Sequence, residues 1–156
     1  MYDSKYFTNK PDRKCYRLGD TVIKEFTKPL RRMNEEWYLH YQEFNNRYRI
    51  MPDIIDFEPG YKIVMDYIPG RVLEGNNSRS KRENLVDILR IYTHFAEYSA
   101  EIKKDFYHWD IHDNNLILTN DGKLMLIDPD SISINIPQKT ALAYNMLSDY
   151  VFRLDY

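Results

Sequence analysis

The chain has 156 residues, of which 43% are apolar, and this size suits one domain or two small lobes that share one interface. The formal net charge is −2 and both signs are interleaved along the chain, so charge gives no support for a nucleic-acid partner. There is one cysteine, the first five residues lack the apolar core of a signal peptide, and no apolar run is long enough to span a membrane. These features exclude an internal disulfide and a thiolate zinc cluster, and they predict a cytoplasmic protein, or one of the host cytoplasm if the source is viral.

The first half of the chain shows strand patterns around one helical pattern. A Gly19-Asp20 turn separates two β-rich runs, which predicts a hairpin. Apolar residues at helical spacing then predict a helix; they are Met33, Trp37, Tyr41, Phe44 and Tyr48. The predicted elements are, in chain order, strands at 15–18 and 21–26, a helix at about 30–47, and strands at 53–57 and 61–67.

The second half of the chain is predicted to be mainly helical. A polar, basic stretch at 76–82 suggests a connection, and a long helix at about 83–104 follows it, capped by Asn84 or Ser80. A hairpin is predicted from apolar runs at 116–118 and 124–127 around a four-residue turn, and an amphipathic helix from Pro137 to Leu154 comes last.

The element order predicts an α+β fold with two lobes. Residues 1–70 would form a small antiparallel-sheet lobe with one helix, and residues 71–156 a reduced, mainly helical lobe. Polar side chains flank the second-lobe hairpin at the end opposite its turn: His108, Asp110, His112 and Asn115 precede it, and Asp128 follows it. Because an antiparallel hairpin brings its two outer ends together, we expect these acids and amides to gather there.

The segment from His108 to Asp128 resembles the catalytic loop and metal-binding motif of the protein-kinase-like superfamily. His108, Asp110 and Asn115 match H-R-D-L-x-x-x-x-N, and Asp128, 18 residues after Asp110, matches the aspartate of D-F-G. By this resemblance Asp110 accepts or orients the attacking hydroxyl, and Asn115 and Asp128 hold Mg²⁺. Oxygen ligands of these two types suit Mg²⁺, which keeps several waters.

The first half carries further matches in the same order. Val22-Ile23-Lys24 resembles V-A-I-K, the strand whose lysine contacts the phosphates of ATP. Residues 33–39 resemble the helix whose glutamate pairs with that lysine. We prefer Glu35 to Glu36 for this role, because Leu39 one turn later would point the same way as Glu35 and pack beneath it.

Residues 63–70 resemble the hinge of the same superfamily. Met65 lies within it, and backbone groups near Asp66 and Ile68 would bond the adenine edge. The resemblance covers about residues 13–130. It implies one kinase-like domain that uses ATP and Mg²⁺ to transfer phosphate to a hydroxyl, with serine or threonine of a protein substrate as the first expected acceptor.

Three departures from the family pattern keep alternatives open. No glycine occurs at 8–14, where the family has G-x-G-x-x-G. His112 replaces the lysine of protein kinases and resembles the H-G-D-L-H-P-x-N loops of aminoglycoside and choline phosphotransferases, so a small-molecule kinase is the alternative enzyme. Pro129 replaces the phenylalanine of D-F-G, and the 28 residues after Asp128 are too few for the peptide platform and A-P-E segment that the family pattern would lead us to expect. A pseudokinase that acts as a binding module is therefore the third candidate.

Other residues of the polar segment have simpler interpretations. A zinc site made by His108, Asp110 and His112 is conceivable, but the segment has no helical pattern to support it. Short basic clusters at 28–32 and 79–82 leave nucleic acid as a minor alternative. Turn and solvation roles are expected for three further residues, Asp113, Asn114 and Asp130. The sequence leaves the oligomeric state open.

Overall fold

The structure is a computed structural model that describes residues 8–74 and 79–152. The described residues form three α-helices and ten short strands, all of which pair antiparallel. The α+β class with a small antiparallel sheet is therefore confirmed. The chain divides into two compact units, Met1–Ile68 and Pro69–Tyr156, and whether these serve as the nucleotide and catalytic lobes stays a prediction.

The first unit is built on a five-stranded sheet with the order β1-β2-β3-β5-β4. The predicted hairpin is β2 and β3, and the two later strands are β4 and β5. An additional edge strand, β1, was not predicted because its three polar residues show no apolar alternation. The strands are β1 Thr8–Lys10, β2 Arg13–Leu18, β3 Thr21–Phe26, β4 Ile54–Glu58 and β5 Lys62–Asp66.

The first helix, α1 Glu35–Tyr48, starts later than the predicted position near Leu30. Asn34 is its N-cap, and the Asn34 side chain accepts the backbone N–H three residues on. The segment before the cap is bonded to the turn between β4 and β5 instead: Leu30 N–H donates to the Gly60 carbonyl at 2.9 Å, and Gly60 N–H donates to the Met33 carbonyl at 2.9 Å. Met33 is therefore buried although it lies before the helix. Because its burial continues the apolar stripe of α1, the stripe predicted too long a helix.

The long helix of the second unit is α2 Lys81–Ile102, two residues earlier at each end than predicted. Ser80 is its N-cap and forms a capping box with Glu83, which decides between the two predicted caps. The end of the predicted basic connection is consequently helical, and its residues 76–78 lie outside the described residues. Residues at helical spacing bury one face of α2: Ile88, Ile91, Tyr92, Phe95 and Tyr98.

Two small sheets and one more helix complete the second unit. The predicted hairpin is present as β8 and β9, with β6 added at its edge, while β7 pairs with β10. The sequence patterns did not predict β6, β7 and β10, because two or three residues are too few to show the alternation of a strand. The elements are β6 Arg71–Val72, β7 Phe106–His108, β8 Leu116–Leu118, β9 Leu124–Leu126, β10 Ile132–Ile134 and α3 Pro137–Phe152.

The apolar stripe of α3 is only partly covered. Ala143 is buried and Tyr150 is half-buried, whereas Val151 is exposed; Leu154 lies outside the described residues. In the part of the chain that the structure describes, no helix has both the length and the apolarity that crossing a bilayer requires.

Candidate active site

The hairpin of β8 and β9 places two of the predicted metal-binding residues at one end. Leu116 pairs with Leu126, and the ladder continues with a hydrogen bond of 2.9 Å from Ile127 N–H to the Asn115 carbonyl. Asp128 follows directly. Asn115 and Asp128 therefore lie at the end of the hairpin opposite its turn, which is the geometry that the polar flanks predicted.

His108 is fully buried and joins the loop to this hairpin. Its Nδ1 accepts the backbone N–H of Asp110 at 3.1 Å, and its Nε2 lies 3.0 Å from the Ile127 carbonyl. Because a backbone N–H can only donate, Nδ1 is the acceptor, and the neutral ring carries its proton on Nε2 and donates it to Ile127. Burial is the main cause that lowers the pKa of His108, in agreement with a neutral ring.

The carboxylate of Asp110 has a hydrogen-bond donor at one oxygen and the His112 ring near the other. The Asn115 amide donates to Asp110 Oδ2 at 3.2 Å and to the Asp110 carbonyl at 2.9 Å. His112 Nδ1 accepts the Asn114 N–H at 3.1 Å, and His112 Nε2 lies 3.3 Å from Asp110 Oδ1. The carboxylate is thus oriented from two sides while it stays partly accessible to solvent.

The donors at Asn115 and Asp128 fit a Mg²⁺ ion. Since the Asn115 amide nitrogen donates into the loop, its oxygen is turned away from the loop, and oxygen is the amide atom that binds hard cations. Asp128 is half-buried and has left-handed backbone angles, φ 64° and ψ 62°, just before a 3-10 turn at Pro129–Ser131. Non-glycine residues in such strained conformations concentrate at functional sites.

A transition-metal site is not supported. Across residues 8–74 and 79–152, no three His, Cys, Asp or Glu side chains lie together as metal ligands would. Both ring nitrogens of His108 and one of His112 are already hydrogen-bonded. The zinc alternative is therefore not favoured, whereas Mg²⁺ needs only one or two protein oxygens beside phosphates and water.

Asp130 differs from its predicted role as a solvated turn residue. It lies in the 3-10 turn after Asp128 and is only 2% exposed. Its charge also acts on His108, for which it is a minor cause that raises the pKa. The sequence carried one signal for this burial, a second acidic residue two positions after Asp128 in a segment whose neighbouring residues are buried.

Two tyrosines that sequence analysis did not single out connect α3 to the rest of the unit. The Tyr150 hydroxyl donates to the Asp113 side chain, so Asp113 is an anchor as well as a turn residue. Tyr92, on α2, donates to the Ala143 carbonyl at 3.1 Å. Burial first, and the charge of Asp110 second, raise the pKa of Tyr92. Helix α3 is thereby bonded both to the loop that contains Asp113 and to α2.

In the first unit, Lys24 lies in the middle strand of the sheet and is only 5% exposed. Its neighbours at alternate positions, Val22 and Phe26, are buried on the same face. On the opposite face the Tyr16 hydroxyl donates to the Glu25 carboxylate at 2.9 Å. Lys24 is therefore an inward-facing cation, a position that lysine rarely takes without a functional or charged partner.

Helix α1 covers the same face of the sheet as Lys24. Lys24 pairs with Ile63, and Ile63 pairs with Phe57, so these three side chains share a face. Two aromatic rings of α1, Trp37 and Tyr38, stack on Phe57 with centroids 5.7 and 4.6 Å apart. The predicted helix and the predicted lysine are thus on one side of the sheet.

The structure removes the reason for choosing between the two glutamates. Glu35 and Glu36 are both exposed in the first turn of α1, and Leu39 is 62% exposed instead of packed beneath Glu35. The argument from Leu39 was wrong, because the buried face of α1 is the one that holds Trp37. Glu36 also lies 3.9 Å from His40 on its own helix. The lysine partner stays a prediction, with both residues as candidates.

The predicted hinge continues β5 out of the sheet. Met65 is buried beside Val22, and Asp66 N–H donates to the Asp53 carbonyl at 3.0 Å. Burial first, and the charge of Asp53 second, raise the pKa of Asp66, while Arg49 opposes them. Contacts between adenine and the backbone of Asp66 and of half-buried Ile68 stay predictions.

Comparison with solved structures decides the fold. Neither a protein-family model nor a curated protein sequence matches the chain. Monomeric WbdD matches with a TM-score of 0.55 at 18% identity, over 90% of this chain and 37% of WbdD. The granulovirus kinase of Cydia pomonella matches with a TM-score of 0.54 at 14% identity, over 81% of this chain and 50% of that kinase. This chain therefore has the protein-kinase-like fold.

A third similar structure widens the range of chemistry found on this fold. An ADP-bound aminoglycoside phosphotransferase matches with a TM-score of 0.51 at 14% identity, over 86% of this chain and 68% of that enzyme. Another WbdD structure is described as a bifunctional kinase-methyltransferase. The resemblance seen in the sequence is confirmed. The chain spans only 37% of the length of WbdD, and identities this low establish the fold and leave the activity to be argued from the site.

Proposed function

We propose that this chain is an ATP- and Mg²⁺-dependent phosphotransferase in which Asp110 positions the attacking hydroxyl. The observation that carries the proposal is the carboxylate of Asp110, held at one oxygen by Asn115 and approached at the other by His112. A carboxylate with one oxygen hydrogen-bonded and the other flanked by a side chain is restricted in its orientation. Phosphoryl transfer depends on such positioning more than on covalent help from the protein.

The other residues have roles that follow from their placement. His108, buried and neutral, fixes the backbone at Asp110 and ties the loop to the strand before Asp128. Asn115 and Asp128 would hold Mg²⁺, which would neutralise charge on the phosphates. Lys24, an inward-facing cation on the sheet, would bind phosphate oxygens of ATP, with Glu35 or Glu36 to orient it.

For the acceptor we propose first a serine or threonine hydroxyl of a protein. The alternative is a hydroxyl of a small molecule, and a specific observation supports it: His112, the residue that resembles small-molecule kinases, sits against the carboxylate of Asp110. The two acceptors predict different products. Labelled phosphate from ATP would end on protein in the first case and in the low-molecular-weight fraction in the second.

The competing class is a pseudokinase that binds nucleotide or a partner without transfer. The missing glycine loop supports it, whereas the intact set of Lys24, Asp110, Asn115 and Asp128 opposes it. Incubation with γ-labelled ATP and Mg²⁺, with candidate proteins and with pools of hydroxyl compounds, tests the proposal against Asp110→Asn as the control. Transfer above the control in either fraction supports an enzyme. Nucleotide binding without any transfer would overturn the catalytic proposal and favour the pseudokinase.

Nucleotide binding has a test of its own because the chain contains a single cysteine. Cys15 is half-buried and lies directly across from Lys24 on the same face of the sheet. We expect Mg-ATP to slow alkylation of Cys15, while adenine-free triphosphate and GTP serve as specificity controls. Identical alkylation rates at saturating Mg-ATP and without nucleotide would contradict the placement of ATP against this face.

A further inference from the structure

The turn between β1 and β2 lies where the family has its glycine-rich phosphate loop, yet it is built differently. Strand pairing from Lys10 to Arg13 leaves only Pro11 and Asp12 in the turn. Proline has no N–H, and the carbonyls of both turn residues are occupied: Thr27 N–H donates to Asp12 at 3.0 Å and the Thr27 hydroxyl donates to Pro11 at 3.1 Å. A cradle of flexible backbone amides cannot form at such a turn.

Arg13 occupies the first position after this turn, on the face that holds Lys24. Arg13 pairs with Phe26, and Cys15 pairs with Lys24, so Arg13 and Lys24 are diagonal neighbours in the sheet. Diagonal neighbours on one face lie about 7–8 Å apart at Cα, which long side chains bridge. The guanidinium of half-buried Arg13 and the ammonium of Lys24 can therefore reach the same ligand.

The other cations of β2 are placed for different tasks. Arg17, the second diagonal neighbour of Lys24, donates through Nε to the Gly19 carbonyl at 2.7 Å, and its guanidinium lies 3.5 Å from the centre of the Tyr67 ring. Lys14 is exposed on the opposite face, the one marked by the hydrogen bond between Tyr16 and Glu25. Only Arg13 combines the inward face with the turn end of this strand.

We propose that Arg13 is a phosphate-binding residue that takes over, with a side chain, the task for which the family uses backbone amides. The ligand is the di- or triphosphate group of a nucleotide, and the inference rests on the proposed function. Guanidinium binds phosphate through two parallel hydrogen bonds, which gives both charge and direction. Lys24 contributes a point charge from the neighbouring strand. Together they neutralise the phosphates without a glycine loop.

The test measures the affinities of ATP, ADP and adenosine by calorimetry with wild type, Arg13→Gln, Arg13→Lys and the matched control Lys14→Gln. Hydrogen bonds to charged groups are strong enough that Arg13→Gln should weaken ATP and ADP by about 10- to 100-fold. Adenosine should bind all four proteins equally, Arg13→Lys should retain part of the ATP affinity, and Lys14→Gln should match wild type. Thermal melts show whether each variant is folded. If Arg13→Gln is unstable, the comparison of Arg13→Lys with wild type replaces it.

The outcomes separate the inference from the proposed function. If wild type binds none of the three compounds, the proposed function fails. If wild type binds ATP and both Arg13 variants bind it equally well, the function stands and the role of Arg13 is overturned. An equal loss for adenosine and ATP in Arg13→Gln also overturns it, because Arg13 would then shape the sheet and not contact phosphate. A selective loss for ATP and ADP supports it.

Discussion

The two units match the motifs of the family to different degrees. In the second unit, His108, Asp110 and Asn115 keep the residue types and the order of the family, and each is hydrogen-bonded within the loop. In the first unit, the sheet keeps the lysine but replaces the glycine loop by a Pro11-Asp12 turn. The loop residues of the family motif are therefore present in the second unit, whereas the glycine loop of the motif is absent from residues 8–14 of the first.

This difference has a chemical explanation. Orienting a hydroxyl requires a carboxylate at one position with fixed direction, and few side chains can replace it. Neutralising phosphates requires positive potential near several oxygens, which backbone amides, lysine, arginine or a metal ion can all supply. A catalytic loop is therefore expected to keep its residues where a phosphate-binding loop can exchange one kind of donor for another.

Asp110→Asn tests the loop that matches the family motif and should have the largest effect. The amide is nearly isosteric, so the fold and nucleotide affinity should persist, but it cannot accept the hydroxyl proton. Roles of this kind contribute about 10²–10⁴-fold in rate, and we expect a loss of that size in transfer of label from ATP. The control is a thermal melt: a melting temperature close to that of wild type shows that the variant is folded. Unchanged transfer by a well-folded variant would mean that Asp110 is not catalytic.

The limits of sequence analysis follow the same division. The placement of Asn115 and Asp128 at one end of a hairpin was predictable from two apolar runs with polar flanks, while their roles stay predictions. The start of α1 was not, since Met33 continues an apolar stripe that the bonds from Leu30 and Gly60 interrupt. Leu39 misled the choice of glutamate for a related reason: a leucine one turn from a glutamate shows a shared face and does not show that the face is buried.

Lys24→Met tests the part of the sheet that both the family and this chain retain. Methionine matches the apolar stem of the buried lysine, so the fold should tolerate it. Loss of one charge-assisted phosphate contact should reduce transfer by about 10- to 100-fold. Single-turnover rates at saturating ATP, together with calorimetry, separate binding from chemistry. Wild-type rates would show that the lysine is structural; a double variant with Arg13→Gln tests whether the two cations act on the same phosphates.

His108 offers a test of the second unit that needs no substrate. Burial lowers its pKa from an ordinary value of 6.5, so as pH falls below about 6.5 the unfolded chain takes up a proton before the folded chain does. Stability is then complete above pH 6.5 and falls below it, by at most about 1.4 kcal/mol per pH unit. Urea unfolding between pH 8 and 5.5 measures this slope.

Two other groups set the controls for that measurement. Burial also lowers the pKa of half-buried His94, which adds to the slope, so His94→Gln should keep most of it. The pKa of Asp66 is raised, so its titration favours the folded state as pH falls and works against the slope. A stability that is flat from pH 7.5 to 5.5 in His94→Gln would contradict a neutral, buried His108.

The smallest expected effect decides which glutamate of α1 orients Lys24. Both candidates are exposed, and exposed ion pairs contribute less than about 1 kcal/mol, so loss of the partner should slow transfer by no more than about fivefold. Glu35→Gln and Glu36→Gln each remove one charge from the first turn of the same helix, so both weaken its interaction with the helix dipole. Glu36→Gln also removes a contact with His40, so thermal melts of both variants measure the effect on stability, and a difference in transfer rate between folded variants reports the contact with Lys24. The assignment to Glu35 predicts that Glu35→Gln transfers phosphate more slowly and that Glu36→Gln stays near wild type.

The reverse result would place the lysine partner one residue later. In a Lys24→Met background, neither glutamate substitution should change the transfer rate.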